Sequence, residues 1–259
     1  LPPVITRSDT SARGLSRGPS RPVQVADKIK DWVVEHGLKR GDRLPSEAEL
    51  MTRFGMAKGT IREAMRILEA QGLIKTRTGP GGGSFVHEVS KERARALLGN
   101  YFYFKDLTIA DIYQLRSVLE PELAASLAGV LSDDALDALR ANIAEFDTPA
   151  ADAEQERERH IVSLRFHAML AAQSSNPLLE FLIDFMACML SDLTVYRRLF
   201  DPPNTELWQR GRDYQMRLVE ALRDGDAEGA RSIMSDHMRT AWRLMEMQEA
   251  EMVNRFISE

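Results

Sequence analysis

The sequence predicts an α+β fold that is mostly α, in two parts: a small mixed N-terminal domain, then an all-α antiparallel helical bundle. Three observations predict it. Apolar residues recur at helical spacing along most of the 259 residues. Only two short strand-like runs occur, on either side of the glycine-rich stretch Gly79-Pro80-Gly81-Gly82-Gly83. No strand-like alternation appears after about residue 90. The length also suits two modest domains better than one large core.

The elements follow in order. Residues 1–20 are rich in Pro, Ser, Arg and Gly, with almost no apolar periodicity, and are expected to be a disordered tail. From Arg21, the spacing of Val25, Ile29, Trp32 and Val33 predicts a first helix, ended by Gly37 and Gly41. Ser46 with Glu49 three residues on is a capping box, so a second helix starts there and ends near Phe54-Gly55. A third helix is predicted from about Ala57 to Gln71, closed by Gly72. Leu73–Arg77 and Ser84–His87 read as two strands joined by the glycine-rich turn. Three helices and a hairpin in this order predict a winged helix-turn-helix over 21–88. Residues 89–105 are read as a linker and first helix, and 106–250 as the bundle, with six or seven helices in all after residue 90. Thr108-x-x-Asp111 and Ser132 are N-cap signals there, and a further helix begins at Asp226.

Composition narrows the function. Residues 1–90 carry 15 Lys and Arg against 10 Asp and Glu, a net +5, while the remainder carries −10. That split suggests that the N-terminal part meets a polyanion. No apolar run approaches the ~20 residues of a membrane span, and the first residues lack the apolar core of a secretory signal. A single cysteine, Cys188, excludes an internal disulfide and is expected to be a buried small hydrophobe. The expectation is a cytoplasmic protein with no membrane partner.

The third helix carries the chemistry. Ile61, Ala64, Met65 and Leu68 make one apolar face, while Lys58, Arg62 and Arg66 lie at four-residue intervals on another. Gly59 and Thr60 occupy its N-terminal turn. A helix that is apolar behind and cationic in front suits the DNA major groove, where Arg and Lys reach guanine edges. The hairpin after it is a natural wing. The glycines do not make a phosphate loop, since the Gly-Lys-Ser/Thr ending is missing and a strand follows rather than a helix.

These residues also carry a resemblance. Gly41-Asp42-Arg43-Leu44-Pro45-Ser46-Glu47-Ala48-Glu49-Leu50, then Phe54-Gly55-Met56, then Thr60-Ile61-Arg62-Glu63-Ala64-Met65-x-x-Leu68-Glu69-x-x-Gly72-Leu73-Ile74, then Gly81-x-Gly83-Ser84-Phe85-Val86, resemble the GntR family winged helix. The resemblance implies that Lys58, Gly59, Thr60 and Arg62 read the operator and that Gly81 marks the wing tip. Arg66 joins the DNA-facing set by its spacing, and Arg43 is read as a phosphate contact. Two positions depart from the family pattern: Ala57 stands where many members have Ser or Thr, and Ala48 where many carry a DNA-contacting Arg. The operator is therefore expected to differ from those of better-known relatives.

The C-terminal part is similar to the helical FCD-type effector domain of the FadR subfamily. The similarity rests on Leu115-Arg116-x-x-Leu119-Glu120-Pro121, Phe166-His167-x-x-Leu170, Asn176-Pro177-Leu178-Leu179, Ala221-Leu222-x-x-Gly225-Asp226-Ala227-x-x-Ala230 and His237. It implies a homodimer whose bundle encloses a small carboxylate or sugar acid and moves the DNA-binding heads in response. Many members hold a divalent metal through one Asp and three His. Here Ser163 stands at the Asp position and Gln215 near the middle His, while His167 and His237 match the other two. Ser and Gln are poor metal ligands. His160, seven residues before His167, lies about 10.5 Å along the helix axis, too far to complete the set. The expectation is a pocket without a cofactor, centred on Arg116, Ser163, His167, Gln215 and His237. A divalent ion such as Zn on His167 and His237 is the alternative. Arg116 is read either as a clamp for a ligand carboxylate or as an internal partner of Glu120 four residues on. Asn176 is read as a helix cap, and Met234, Met238, Met245 and Met247 as core and dimer surface.

The function expected is a ligand-responsive regulator, a repressor that binds a palindromic operator as a dimer. The competing classes are a metal-dependent or ligand-independent DNA-binding regulator and an enzyme built on the bundle. The bundle carries no complete metal set, so no enzyme is predicted.

Overall fold

The computed structural model describes residues 18–258, with side chains through 250. Most of the expected tail, with Arg7, Arg13 and Arg17, lies outside the described residues. The chain divides into two compact units, Leu1–Ala94 and Arg95–Glu259.

The N-terminal unit holds α1 (Arg21–Glu35), α2 (Glu47–Phe54), α3 (Lys58–Gln71), β1 (Ile74–Arg77) and β2 (Gly83–Val86). Helix α2 starts where sequence reasoning puts it: Ser46 accepts from the Glu49 N–H, and Glu49 bonds back to the Ser46 N–H. Helix α3 begins one residue late, because Ala57 is its N-cap and has no side chain to serve as one. Glycines in the left-handed region, Gly55 and Gly72, end α2 and α3. Val25, Ile29, Leu50, Ile61, Ala64, Leu68 and Ile74 form one buried core. It ties the back of α3 to α1 and α2, so the opposite face of α3 stays outside.

The hairpin pairs antiparallel, from Ile74 opposite Val86 to Arg77 opposite Gly83. The chain before α2 runs along its outer edge, through Gly41 N–H to Val86 O and Leu44 N–H to Ser84 O. Gly82 in the turn has no substitute: a Cβ there would sit 2.6 Å from the Arg77 carbonyl oxygen.

The C-terminal unit is wholly helical among the described residues. Helix α4 (Lys91–Tyr103) crosses the unit boundary, and the rest are α5 (Ile109–Leu127), α6 (Asp133–Ala144), α7 (Ala153–Ala171), α8 (Pro177–Tyr196), α9 (Thr205–Asp224) and α10 (Ala227–Ser258). The expected caps are in place. Thr108 and Asp111 form a capping box on α5, Ser132 caps α6, and Asn176 accepts from two N–H groups of α8. Helix α5 packs on α10 and α8, while α7 lies against α8, α6 and α9. Ile109, Leu123, Phe166, Leu170, Leu190, Leu222 and Met238 belong to its single core. Among the described residues, no helix is long and apolar enough to cross a membrane.

One expectation needs correcting. Cys188 is only half-buried and accepts from Arg95 Nη1 at 3.1 Å, because α8 points it at a cation rather than into the core. On α10, Met234, Met238 and Met245 are buried and Met247 is exposed.

Candidate functional site

The N-terminal unit presents a cationic face. Lys58, Gly59, Arg62 and Arg66 are exposed on α3, and Thr60 is half-buried. Arg62 Nε donates to Glu47 at the start of α2 (3.0 Å), and Arg66 pairs with Glu63 (3.4 Å). Both pairs are open to solvent, so they are weak and easily exchanged for a phosphate or a base edge. With no side-chain cap at Ala57, the first-turn N–H groups of α3 are open to an acceptor such as phosphate. Arg43 sits differently from its expected free phosphate contact: Nη2 donates to the Gly82 carbonyl at 2.7 Å, bracing the wing. A Cβ on Gly83 would lie 2.8 Å from Arg43 Nε, so the glycine makes room for that brace. Gly81 is exposed in the turn with φ +74°. Between the start of α2, α3 and the hairpin lies an open groove of about 390 Å³, lined by Arg43, Arg62 and Arg66 among others.

The C-terminal unit encloses a cavity of about 70 Å³. It brings together all five side chains expected there: Arg116 from α5, Ser163 and His167 from α7, Gln215 from α9 and His237 from α10. Their arrangement is a chain of polar contacts. Glu120 is buried and bridges two partners, taking Arg116 Nε on one oxygen and His167 Nδ1 on the other, each at 2.5 Å. Burial by itself raises the Glu120 carboxyl and is the largest single influence, but Arg116 and His167 together outweigh it and hold the group well below the ordinary carboxylate range. Burial, with Arg116 beside it, pushes His167 down more than Glu120 raises it, so the imidazole is neutral and its Nδ1–H donates a hydrogen bond to Glu120. His167 Nε2 is then an acceptor. It lies 3.2 Å from His237 Nε2, which carries the other proton, and His237 is pushed far below its ordinary value, first by burial.

Arg116 thus realises the internal pair with Glu120 and still has capacity left. Its guanidinium is buried against the Tyr113 ring, 5.0 Å to the centroid, and Nη2 has no hydrogen-bond partner. An orphaned donor on a buried cation is costly, so such a group points to a missing acceptor.

The donor set does not suit a tightly held metal ion. His167 and His237 stand close enough to share one. The other two family positions are otherwise engaged, however: Gln215 Nε2 donates to Ser163 O and Oγ at 3.2 and 3.3 Å. Among the described residues, no three His, Cys, Asp or Glu side chains gather at one point. His160 lines the cavity beside them, but its Nε2 meets Thr194 Oγ1 at 3.1 Å.

Sequence reasoning missed Arg159. It lines the same cavity, is buried, and leaves both Nε and Nη1 without a hydrogen-bond partner. A signal existed: Arg159, Ser163 and His167 stand at i, i+4 and i+8, one stripe of α7.

Fold and sites together define a class: a winged-helix DNA-binding head joined to a helical domain whose cavity is lined by several charged and polar side chains. Residues 22–86 match the family described as bacterial regulatory proteins, gntR family, and residues 111–240 match the FCD domain. The chain belongs to the GntR family of regulators, in the FadR-like subfamily that carries the FCD domain. It is similar to the HTH-type transcriptional repressor NanR of Salmonella newport, at 27% identity over 83% of this chain and 82% of the relative. It is also similar to the HTH-type transcriptional regulator LutR of Bacillus subtilis, at 24% over 80% and 93%. A solved structure of a Streptococcus agalactiae GntR protein shares the fold, with a TM-score of 0.58 and 22% identity over 86% of this chain and 99% of that one. The protein is a ligand-responsive DNA-binding transcriptional regulator and not an enzyme.

Proposed function

We propose that this regulator is a repressor that binds a two-fold symmetric operator as a homodimer. It lets go when a small organic acid enters the cavity of the C-terminal unit. The observation that carries the effector class is Arg116: a buried guanidinium on the cavity lining, half-neutralised by Glu120, with Nη2 unpartnered. A ligand carboxylate supplies the acceptor that Nη2 lacks. The neutral His167–His237 pair and Gln215 offer further polar contacts for hydroxyl or carboxylate oxygens. At about 70 Å³ the cavity has room on the order of five waters, which suits a short acid and not a long acyl chain. The engaged state of Ser163 and Gln215 supports a pocket that works without a resident metal. The name of the NanR relative supports repression, and two winged helices on a symmetric dimer meet two half-sites.

A thermal-shift screen of the full chain tests this, with small organic and sugar acids, each with zinc and with chelator. A ligand specific for the folded state at one hundred times its dissociation constant stabilises by about 2.7 kcal/mol. A shift that survives chelator is the expected result. A shift that requires zinc would overturn the metal-free pocket, and no shift with any acid would overturn the effector class.

A further inference from the structure

Two buried arginines line the cavity, on different helices. Arg116 on α5 already answers to Glu120. Arg159 on α7 has no ion pair of that kind, only the longer-range attraction of the buried Glu156. Its guanidinium lies over the rings of Phe146 and Trp208, 5.6 and 5.4 Å from their centroids. Aromatic faces attract a cation, but they offer no acceptor in the direction of its N–H bonds. Nε and Nη1 are left buried and unpartnered. Glu156, one turn earlier on the same helix, feels the Arg159 charge, but its hydrogen bond is from the Asn204 N–H at 3.1 Å. Trp208 Nε1 donates to the Phe146 carbonyl at 3.3 Å, so the two rings that hold Arg159 are themselves tied together. The arginine is seated by its aromatic neighbours with two of its three nitrogens unpartnered.

We propose that Arg159 is a second anion-binding residue of the effector site, and that the effector is a short diacid with one carboxylate on Arg116 and the other on Arg159. This rests on the reading of the cavity as a carboxylate site. A ligand with one anionic group satisfies one arginine and leaves the donors of the other orphaned. A ligand with two satisfies both. The small cavity limits the linker between the acids to a few carbons, since room on the order of five waters accommodates a skeleton of about four.

The test needs no mutation in its first arm. Isothermal titration of the full chain compares malonate, succinate and glutarate with propionate, and succinate with succinamate, in which one carboxylate is a carboxamide of the same shape. The expected result is that at least one diacid binds about tenfold or more tightly than the monoacids. In the second arm, Arg159→Gln lowers diacid affinity about tenfold and leaves the propionate and succinamate affinities within about twofold, so the preference for the second charge collapses. Arg159→Lys, which keeps the charge, retains part of the preference, and it serves if Arg159→Gln does not fold. Monoacids that bind as well as every diacid would overturn the proposal while leaving the carboxylate site intact. So would an Arg159→Gln effect of equal size on all ligands, or none on the diacid. Failure of every carboxylate to bind would instead overturn the carboxylate reading itself, and this proposal with it.

Discussion

The two units use arginine in opposite ways. On α3, Arg62 and Arg66 are exposed, weakly paired and free to exchange partners. In the cavity, Arg116 and Arg159 are buried, and their unpartnered nitrogens cannot turn to water for a substitute. The difference teaches where binding energy is stored. A solvated cation costs little to keep ready, and DNA binding gains from releasing counterions and from contacts with base edges. A buried cation is costly until something anionic completes it, so the apo cavity is itself biased toward a ligand. The DNA face therefore tolerates change with little effect on stability, whereas the cavity does not.

The sharpest break in that comparison is Glu120→Gln. It removes the charge that compensates Arg116 and is expected to destabilise the C-terminal unit by about 3 kcal/mol, the scale of a broken buried ion pair. Urea unfolding measures it, and a loss well below about 1 kcal/mol would show that Arg116 is neutralised by another group.

Acid should act in the same direction. His160 is pushed down to about 4, first by burial and then by Arg116, and His167 and His237 are lowered as well, each first by burial. Below about 6.5 the unfolded chain takes up protons that the folded cavity refuses, so their contribution is present above that pH and is lost as pH falls. For His160 the loss levels off below about 4. The depressed Glu120 carboxyl adds a loss of the same sign below its ordinary range. Each such histidine contributes a slope of about 1.4 kcal/mol per pH unit in its window. Unfolding midpoints at pH 7.5 and 5.5 check this, and His160→Gln should flatten the decline; an unchanged midpoint would mean that the cavity is open to protons.

On the DNA face, Arg62→Ala should weaken operator binding at least about tenfold, roughly 1.4 kcal/mol, with stability unchanged. Fluorescence anisotropy at fixed salt reads the affinity, and a normal value would take Arg62 off the reading surface. The smallest expected effect is a gain. Ala57→Ser supplies the missing cap of α3 and should stabilise the N-terminal unit by about 0.5–1 kcal/mol in thermal unfolding. No gain would mean that the first-turn N–H groups already have good partners.

Much of the fold was legible before any coordinates. The Ser46–Glu49 and Thr108–Asp111 boxes, the cap at Asn176 and the terminating Gly72 are local signals, each set by side-chain to backbone contacts within a few residues. The recognition face was legible for the same reason, because Lys58, Arg62 and Arg66 follow from helical period alone. The cavity was legible only in part. Resemblance carried Arg116, Ser163, His167, Gln215 and His237 to one place, but Arg159 had no motif to mark it.

The sequence by itself determined the order of the helices, their caps, the apolar faces that bury them and the cationic face they leave outside, since all of these depend on spacing along one chain. Only the tertiary structure decided that Glu120 bridges Arg116 and His167, that Gln215 is engaged by Ser163, and that Arg159 lies between Phe146 and Trp208 with its donors unused. The decisive contacts join residues far apart along the chain, Glu120 with His167 across 47 positions and Ser163 with Gln215 across 52. Whether a buried polar group is satisfied depends on which helices pack together, and no local pattern records that.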